Sequence, residues 1–213
     1  NGNPVILAQT GQYLDAVGKL TISTEGEISV ELITEYEGVN ENVKAIEDAW
    51  IAEVNELLGE VIAMNEVDFR ISDDTGRLIR KQETNLGDLI CDAMLWQIGL
   101  LDDNADAAIV NSGSIRASIP AGDVTKKDIN TVLPFGNTLY MVQVTGAELL
   151  EALEASTYCA PESLGCFPQV SGITFTINTG APFATSGLYP GSTYPQPDEV
   201  NRVTIQTVGG RVF

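Results

Sequence analysis

No histidine occurs among the 213 residues, cysteine occurs only three times, and eleven basic residues face thirty acidic ones. Each shortage excludes something. Without imidazole the chain lacks the usual ligand and general base of zinc and most dinuclear hydrolytic centres, so we assign it no metal site and no catalytic residue. A net charge of −19 repels a phosphate backbone and argues against a nucleic-acid polymer as partner. No apolar run approaches the roughly eighteen residues that a membrane-spanning helix needs. The opening residues Asn1-Gly-Asn-Pro4 resemble neither a signal peptide nor an initiator start, so the chain reads as a fragment of something larger.

What is present suits a soluble core. A hydrophobic fraction of 44% and a charged fraction of 19% are ordinary for a globular protein, enough for one substantial domain and the edge of another. The acid pairs Asp73-Asp74 and Asp102-Asp103 sit among Thr, Gly and Asn and read as solvated turns rather than cation ligands. Cys159 and Cys166 bracket the loop Ala-Pro-Glu-Ser-Leu-Gly, a length that closes into a disulfide in an oxidising compartment, and that bridge is expected. Cys91 falls on an apolar helical face beside Ile90 and Met94, the setting of a small structural thiol.

The order of elements points to an α+β fold with a mixed sheet and flanking helices. Val5–Ala8, Leu20–Ile22 and Ile28–Ile33 read as strands of a meander. Val43, Ile46, Trp50, Val54, Leu57 and Val61 recur at three- and four-residue spacing, which marks an amphipathic helix that either links two domains or lies inside one. A second helix begins near Asn85 as N-cap and ends at Gly99. Thr125-Lys-Lys-Asp128 opens a short helix and Thr145-Gly-Ala-Glu148 is a capping box. Strands are expected at Ala107–Val110, Leu139–Val144, Gly172–Ile177 and Arg202–Val208, with Pro182–Pro197 a long surface loop.

The chemistry concentrates in two short runs. Asn111-Ser-Gly-Ser-Ile-Arg116 leaves the C-terminal end of a buried strand as a Gly/Ser loop whose backbone N–H groups, Gly113 included, can face a ligand, and Arg116 adds a planar five-donor fork. Leu133-Pro-Phe-Gly-Asn137 adds the aromatic face of Phe135 beside Gly136. Together they suit a flat polar ligand. The same residues have blander roles open to them: Phe135 as a buried turn residue, Asn111 as a partner of loop backbone, Arg116 in an ion pair with Asp123 or Asp128.

These motifs carry a family resemblance. Glu83-Thr-Asn-Leu-Gly-Asp-Leu-Ile-Cys-Asp-Ala-Met94, Asn111–Arg116, Val132–Asn137 and Phe167-Pro-Gln-Val-Ser-Gly172 are similar, in order, to motifs of the 5′-nucleotidase C-terminal domain. By that resemblance residues 61–213 form the substrate-binding domain, 37–60 the interdomain linker helix and 1–36 the closing strands of a metallophosphoesterase domain. It implies that Arg80, Asn111 and Arg116 contact substrate, with the arginines near phosphate or sugar hydroxyls, and that Phe135 is one of two aromatics that sandwich the base. Arg77 is the alternative to Arg80 if the match slips.

The departures matter as well. The family's second aromatic lies in a later Gly-Gly-Asp-Gly motif, and Val208-Gly-Gly-Arg-Val-Phe213 closes this chain before it, so a C-terminal truncation is expected. The family's two divalent metal ions belong to the N-terminal domain, so this fragment is expected to be inactive alone. The implied activity of the parent is 5′-nucleotide hydrolysis at an extracellular, periplasmic or cell-surface location. Relatives that cleave UDP-sugars, 2′,3′-cyclic nucleotides or sulfur conjugates keep the subtype open, and a non-catalytic nucleoside-binding or surface module is the rival of a different class.

Overall fold

The computed structural model describes residues 5, 7–11, 15–101 and 104–213. The chain divides into two compact units, residues 1–53 and 54–213. In the first, β1 (Val17–Ile22) and β2 (Ile28–Ile33) form an antiparallel hairpin with Val17 opposite Ile33. Its turn is tied by Ser23 N–H to Glu27 O at 2.8 Å. Of the third expected strand, Val5, Leu7 and Ala8 belong to no strand; Ile6, Asn1–Pro4 and the pair Asp102-Asp103 lie outside the described residues. Helix α1 (Glu41–Leu58) crosses the division between the units. Asn40 caps it, its Oδ1 accepting from the N–H groups of Asn42 and Val43. The stripe that periodicity builds for burial is exposed, Trp50 at 63%.

The second unit is where the core lies. It runs β3 (Val61–Asn65), a 3₁₀ turn at Leu78–Arg80, α2 (Asn85–Gly99), β4 (Ala108–Asn111), a 3₁₀ turn at Ser112–Ser114, β5 (Gly122–Thr125) and α3 (Lys126–Val132). Then follow α4 (Gly146–Ser156), β6 (Pro168–Ser171), β7 (Ile173–Ile177), β8 (Gly187–Leu188), β9 (Pro195–Gln196), β10 (Val203–Val208) and β11 (Arg211–Val212). The α+β class holds, its strands distributed over small sheets: β3 with β5, β4 with β6, β8 with β9, and β11-β10-β7. One hydrophobic cluster gathers Ile79, Leu86, Ile90, Ile115 and Ile119; a second packs Leu153 of α4 against Ile173, Val203 and Ile205.

Local chemistry explains the helix starts. Thr125 accepts from Asp128 N–H while the Asp128 carboxylate accepts from Thr125, and Thr145 and Glu148 repeat the arrangement. The cap of α2 is Thr84, one residue before the expected Asn85, because the Thr84 hydroxyl accepts from Gly87 N–H while the Asn85 amide donates to Asp68 O at 3.0 Å. Leu139–Val144 has strand-like alternation but no strand, and no neighbour among the described residues supplies it with a ladder.

Two buried polar networks hold the second unit in shape. Gln169 Oε1 accepts from Thr84 N–H and its hydroxyl at 3.0 and 3.1 Å, while Nε2 donates to Ile79 O and Gln82 O at 3.0 and 2.8 Å. One amide thereby ties the turn that carries Arg80 to the strand beside Asn111. The second network joins Glu154, 0% exposed, and Arg202, 3% exposed. The Glu154 carboxylate accepts from the N–H groups of Arg202 and Val203, the latter at 2.8 Å. The Arg202 guanidinium donates to the carbonyls of Thr157, Tyr158 and Ala160 beyond the C-terminal end of α4, where a cation and spare donors are favoured.

Candidate functional site

The C-terminal end of β4 delivers Asn111 to the surface, and the Ser112–Ser114 turn folds under it. The segment Leu164–Phe167 is clamped to this turn. Ser112 N–H donates to Phe167 O at 2.9 Å, Gly113 N–H to Gly165 O at 2.8 Å and the Ser112 hydroxyl to Leu164 O at 3.2 Å. The amides of Ser112 and Gly113, expected to face a ligand, are therefore used within the fold. Gly113 is needed for another reason: a Cβ there would meet Gly165 O at 2.9 Å. Asn111 Nδ2 donates to Gly165 O at 3.2 Å and Oδ1 accepts from the Ser114 hydroxyl at 2.6 Å. One N–H and one lone pair of this exposed amide lie outside these bonds.

Arg116 is anchored by its backbone N–H to Val132 O at 2.9 Å and by Nη1 to Gly113 O at 3.2 Å. Among the described residues it makes no ion pair. Asp128, one of its two possible partners, is occupied by the helix cap, and the Thr125 hydroxyl and N–H hold its carboxyl below the usual range. The Arg116 guanidinium carbon instead stands 5.8 Å from the centre of the Phe135 ring, within cation–π range. Phe135 itself is 59% exposed, so it is no buried turn residue. Gly136 follows it with φ +60°, a left-handed conformation that a side chain would resist, and turns the chain so that the ring is presented outward.

Arg80 is half-buried, its carbonyl accepting from Leu164 N–H at 3.1 Å. Its Nε is buried without a hydrogen-bond partner among the described residues. Arg77, the alternative, donates from Nη2 to the carbonyls of Ile115 and Arg116 at 3.2 Å and so serves the fold.

Two hollows share the Asn111, Ser114, Phe135 and Asn137 rim. The larger, about 1530 Å³, runs past Gly136 along Leu139–Val144 to Phe213. The smaller, about 550 Å³, also contains Gly113, Tyr158, Leu164, Gly165, Cys166, Thr193 and Tyr194. Asn111, Gly113 and Phe135 thus meet at one cavity. Arg116 adjoins it through Phe135 and Gly113, and Arg80 through Leu164. The tyrosines escaped sequence reasoning, although the Tyr-rich composition of Pro182–Pro197 was a visible signal.

The expected Cys159–Cys166 bridge is not formed: both are free thiols. Each has another partner. Cys166 Sγ donates to Ser156 O at 3.3 Å, and burial, then the neighbouring Cys159, push the Cys166 thiol up. Tyr158 is pushed up to about 12, first by its hydrogen bond with Cys159 and then by burial. Cys91 is fully buried, Sγ donating to Gln169 O at 3.2 Å, and burial pushes it up to about 12, which keeps it an unreactive thiol. Among the described residues no group of three or more His, Cys, Asp or Glu could hold a metal ion, and no helix is long and apolar enough to cross a membrane.

Known proteins resemble this chain. A trifunctional nucleotide phosphoesterase, YfkN, of Bacillus subtilis is 34% identical over 84% of this chain, which spans 13% of that protein. A 5′-nucleotidase of Vibrio vulnificus is 35% identical over 66% of the chain, which spans 25% of it. Among solved structures, a 5′-nucleotidase precursor from Thermus thermophilus superposes with a TM-score of 0.66 at 29% identity, covering 93% of this chain and 40% of its own. The family model described as 5′-nucleotidase, C-terminal domain matches residues 61–211, and the chain belongs to that family.

Proposed function

We propose that residues 61–213 hold the nucleoside and phosphate of a 5′-nucleotide for hydrolysis by a parent protein of which this chain is one part. The observation that carries this reading is the meeting of an exposed Phe135 ring and the Asn111 amide at one cavity of about 550 Å³, with the Arg116 guanidinium 5.8 Å from that ring. A ring presented in this way accepts the flat face of a base, and one base–aromatic stack contributes about 1–3 kcal/mol. Arg116 and Arg80 retain donors for phosphate oxygens or ribose hydroxyls, where a planar fork binds in bidentate fashion. Asn111 adds one donor and one acceptor that fix orientation. With a net charge of −19 on the chain, the two cations are the local counterweight that lets an anionic ligand approach.

In the same reading, residues 1–36 are the closing strands of a metallophosphoesterase domain and 37–60 the linker helix, and the parent works in the periplasm or at the cell surface. The two divalent metal ions are held outside this chain, whose own residues do not suit them. This chain binds and orients; it does not supply the hydrolytic chemistry. The second reading of the same site is hydrolysis of a different nucleotide phosphoester, cyclic nucleotide or UDP-sugar, and the resemblance to a trifunctional nucleotide phosphoesterase over 84% of the chain is in keeping with more than one nucleotide substrate. The test is phosphate release by the full-length protein. Phe135→Ala is expected to raise KM for AMP about 5-fold or more while leaving KM for p-nitrophenyl phosphate unchanged. Equal effects on both substrates would remove the stacking role.

A further inference from the structure

The segment Pro182–Pro197 has the composition of a loose surface loop, yet it is a built hairpin. β8 and β9 pair antiparallel, Gly187 opposite Gln196 and Leu188 opposite Pro195. Their turn is closed by Tyr189 N–H to Tyr194 O, Ser192 N–H to Tyr189 O and Tyr194 N–H to the Ser192 hydroxyl, each at 3.0 Å. Three anchors tie it down. The Tyr189 hydroxyl donates to Glu151 on α4 at 2.8 Å, the Ser186 hydroxyl donates to Asp198 at 2.7 Å, and the Phe183 ring packs 5.6 Å from that of Tyr158.

This scaffold carries Thr193 and Tyr194 to the cavity that Asn111 and Phe135 line. The Tyr194 ring is 53% exposed and belongs to neither hydrophobic cluster, and its hydroxyl has no hydrogen-bond partner among the described residues. The fold has no evident use for it. Its neighbour Tyr158, held by the Arg202 bond to its carbonyl, completes an aromatic side to the cavity.

We propose that this hairpin is a specificity element of the nucleoside site, in which Tyr194 gives the base a further aromatic wall separate from that of Phe135. The inference rests on the nucleoside reading above. A wall of this kind discriminates by ring area: a purine overlaps it more than a pyrimidine does, and a ligand without a base gains nothing from it.

The experiment is a ¹⁵N-shift titration of the 213-residue chain with adenosine, uridine and ribose 5-phosphate, comparing the unaltered protein with Tyr194→Ala, Tyr194→Phe and Phe135→Ala. Tyr194→Ala is expected to weaken adenosine about 5-fold, uridine less and ribose 5-phosphate not at all. Tyr194→Phe keeps the ring and is expected to bind adenosine as the unaltered protein does. Because Tyr194 is at an exposed tip, unchanged shifts in α2 and β4 will confirm that the variants fold. If Phe135→Ala weakens adenosine and Tyr194→Ala does not, the hairpin has no such role while the nucleoside reading stands. Loss of ribose 5-phosphate equal to that of adenosine, or an equal loss in Tyr194→Phe, also overturns the wall. If adenosine does not bind the unaltered chain at about 10 mM, the nucleoside reading fails and takes the inference with it.

Discussion

The Glu154–Arg202 network and the Asn111–Phe135 rim each hold an arginine or stand beside one, yet they use it differently. Arg202 is 3% exposed and gives its guanidinium to three backbone carbonyls, while Glu154 takes two backbone N–H groups. At the rim, Arg116 gives one side-chain bond, to Gly113, and the Phe135 ring beside it is 59% exposed. A buried charge must be partnered, and once partnered it holds shape. A half-exposed cation beside an open aromatic face is poorly explained by stability and well explained by a ligand. The arginines of this chain therefore separate by where their donors go, and that difference should appear as a split between stability and binding.

The largest expected effect is on the structural side. Glu154→Ala leaves the N–H groups of Arg202 and Val203 buried without partners and should cost about 3 kcal/mol, lowering Tm by roughly 6–12 °C in thermal denaturation. A Tm within a degree of the original would break the comparison. Gln169→Leu should cost about 2 kcal/mol by orphaning Ile79 O, Gln82 O and the Thr84 amide, and by loosening the Arg80 turn it should also weaken AMP binding. Arg116→Ala should reverse the pattern. AMP binding should fall about 10-fold with adenosine affected less, while stability changes by roughly 0.5 kcal/mol or less. A large Tm loss in Arg116→Ala would place it with Arg202.

Smaller effects sharpen the account at its edges. Thiol titration of unfolded protein purified without reductant should count three free cysteines, as the structure has them, whereas a count of one would restore the Cys159–Cys166 bridge. In native protein at pH 8 Cys91 should be the slowest to alkylate, since a thiol pushed up to about 12 is almost entirely protonated there. The Asp128 carboxyl lies below its unfolded value because Thr125 hydrogen-bonds its charged form. That cap therefore contributes stability above the unfolded value, lost as pH falls through the folded one. Acid titration monitored by NMR should show Asp128 protonating after ordinary aspartates.

Much of this was legible in the sequence, and the exceptions share a cause. The capping boxes at Thr125 and Thr145 need only residues three apart, and both form. The cap at Thr84 instead of Asn85 turns on Gln169 and Asp68, which come from other parts of the chain. Leu139–Val144 alternates like a strand, but alternation cannot supply a neighbouring ladder. Gln169, Glu154 and Arg202 read as ordinary polar residues because their partners lie 42 to 90 positions away. At the candidate site, Asn111, Arg116 and Phe135 fall in two compact motifs and could be read directly. Tyr194 sits at a hairpin tip whose composition signals only a loop.

The most direct test of the central claim is a ¹⁵N-shift titration of the 213-residue chain with adenosine and AMP to millimolar concentration. The account predicts saturable shifts centred on Asn111–Arg116 and Phe135, with Kd near 1 mM, about −4 kcal/mol, and tighter binding of AMP than of adenosine through the arginines. Shifts absent from that rim, or centred on the Arg202–Glu154 network, would contradict it.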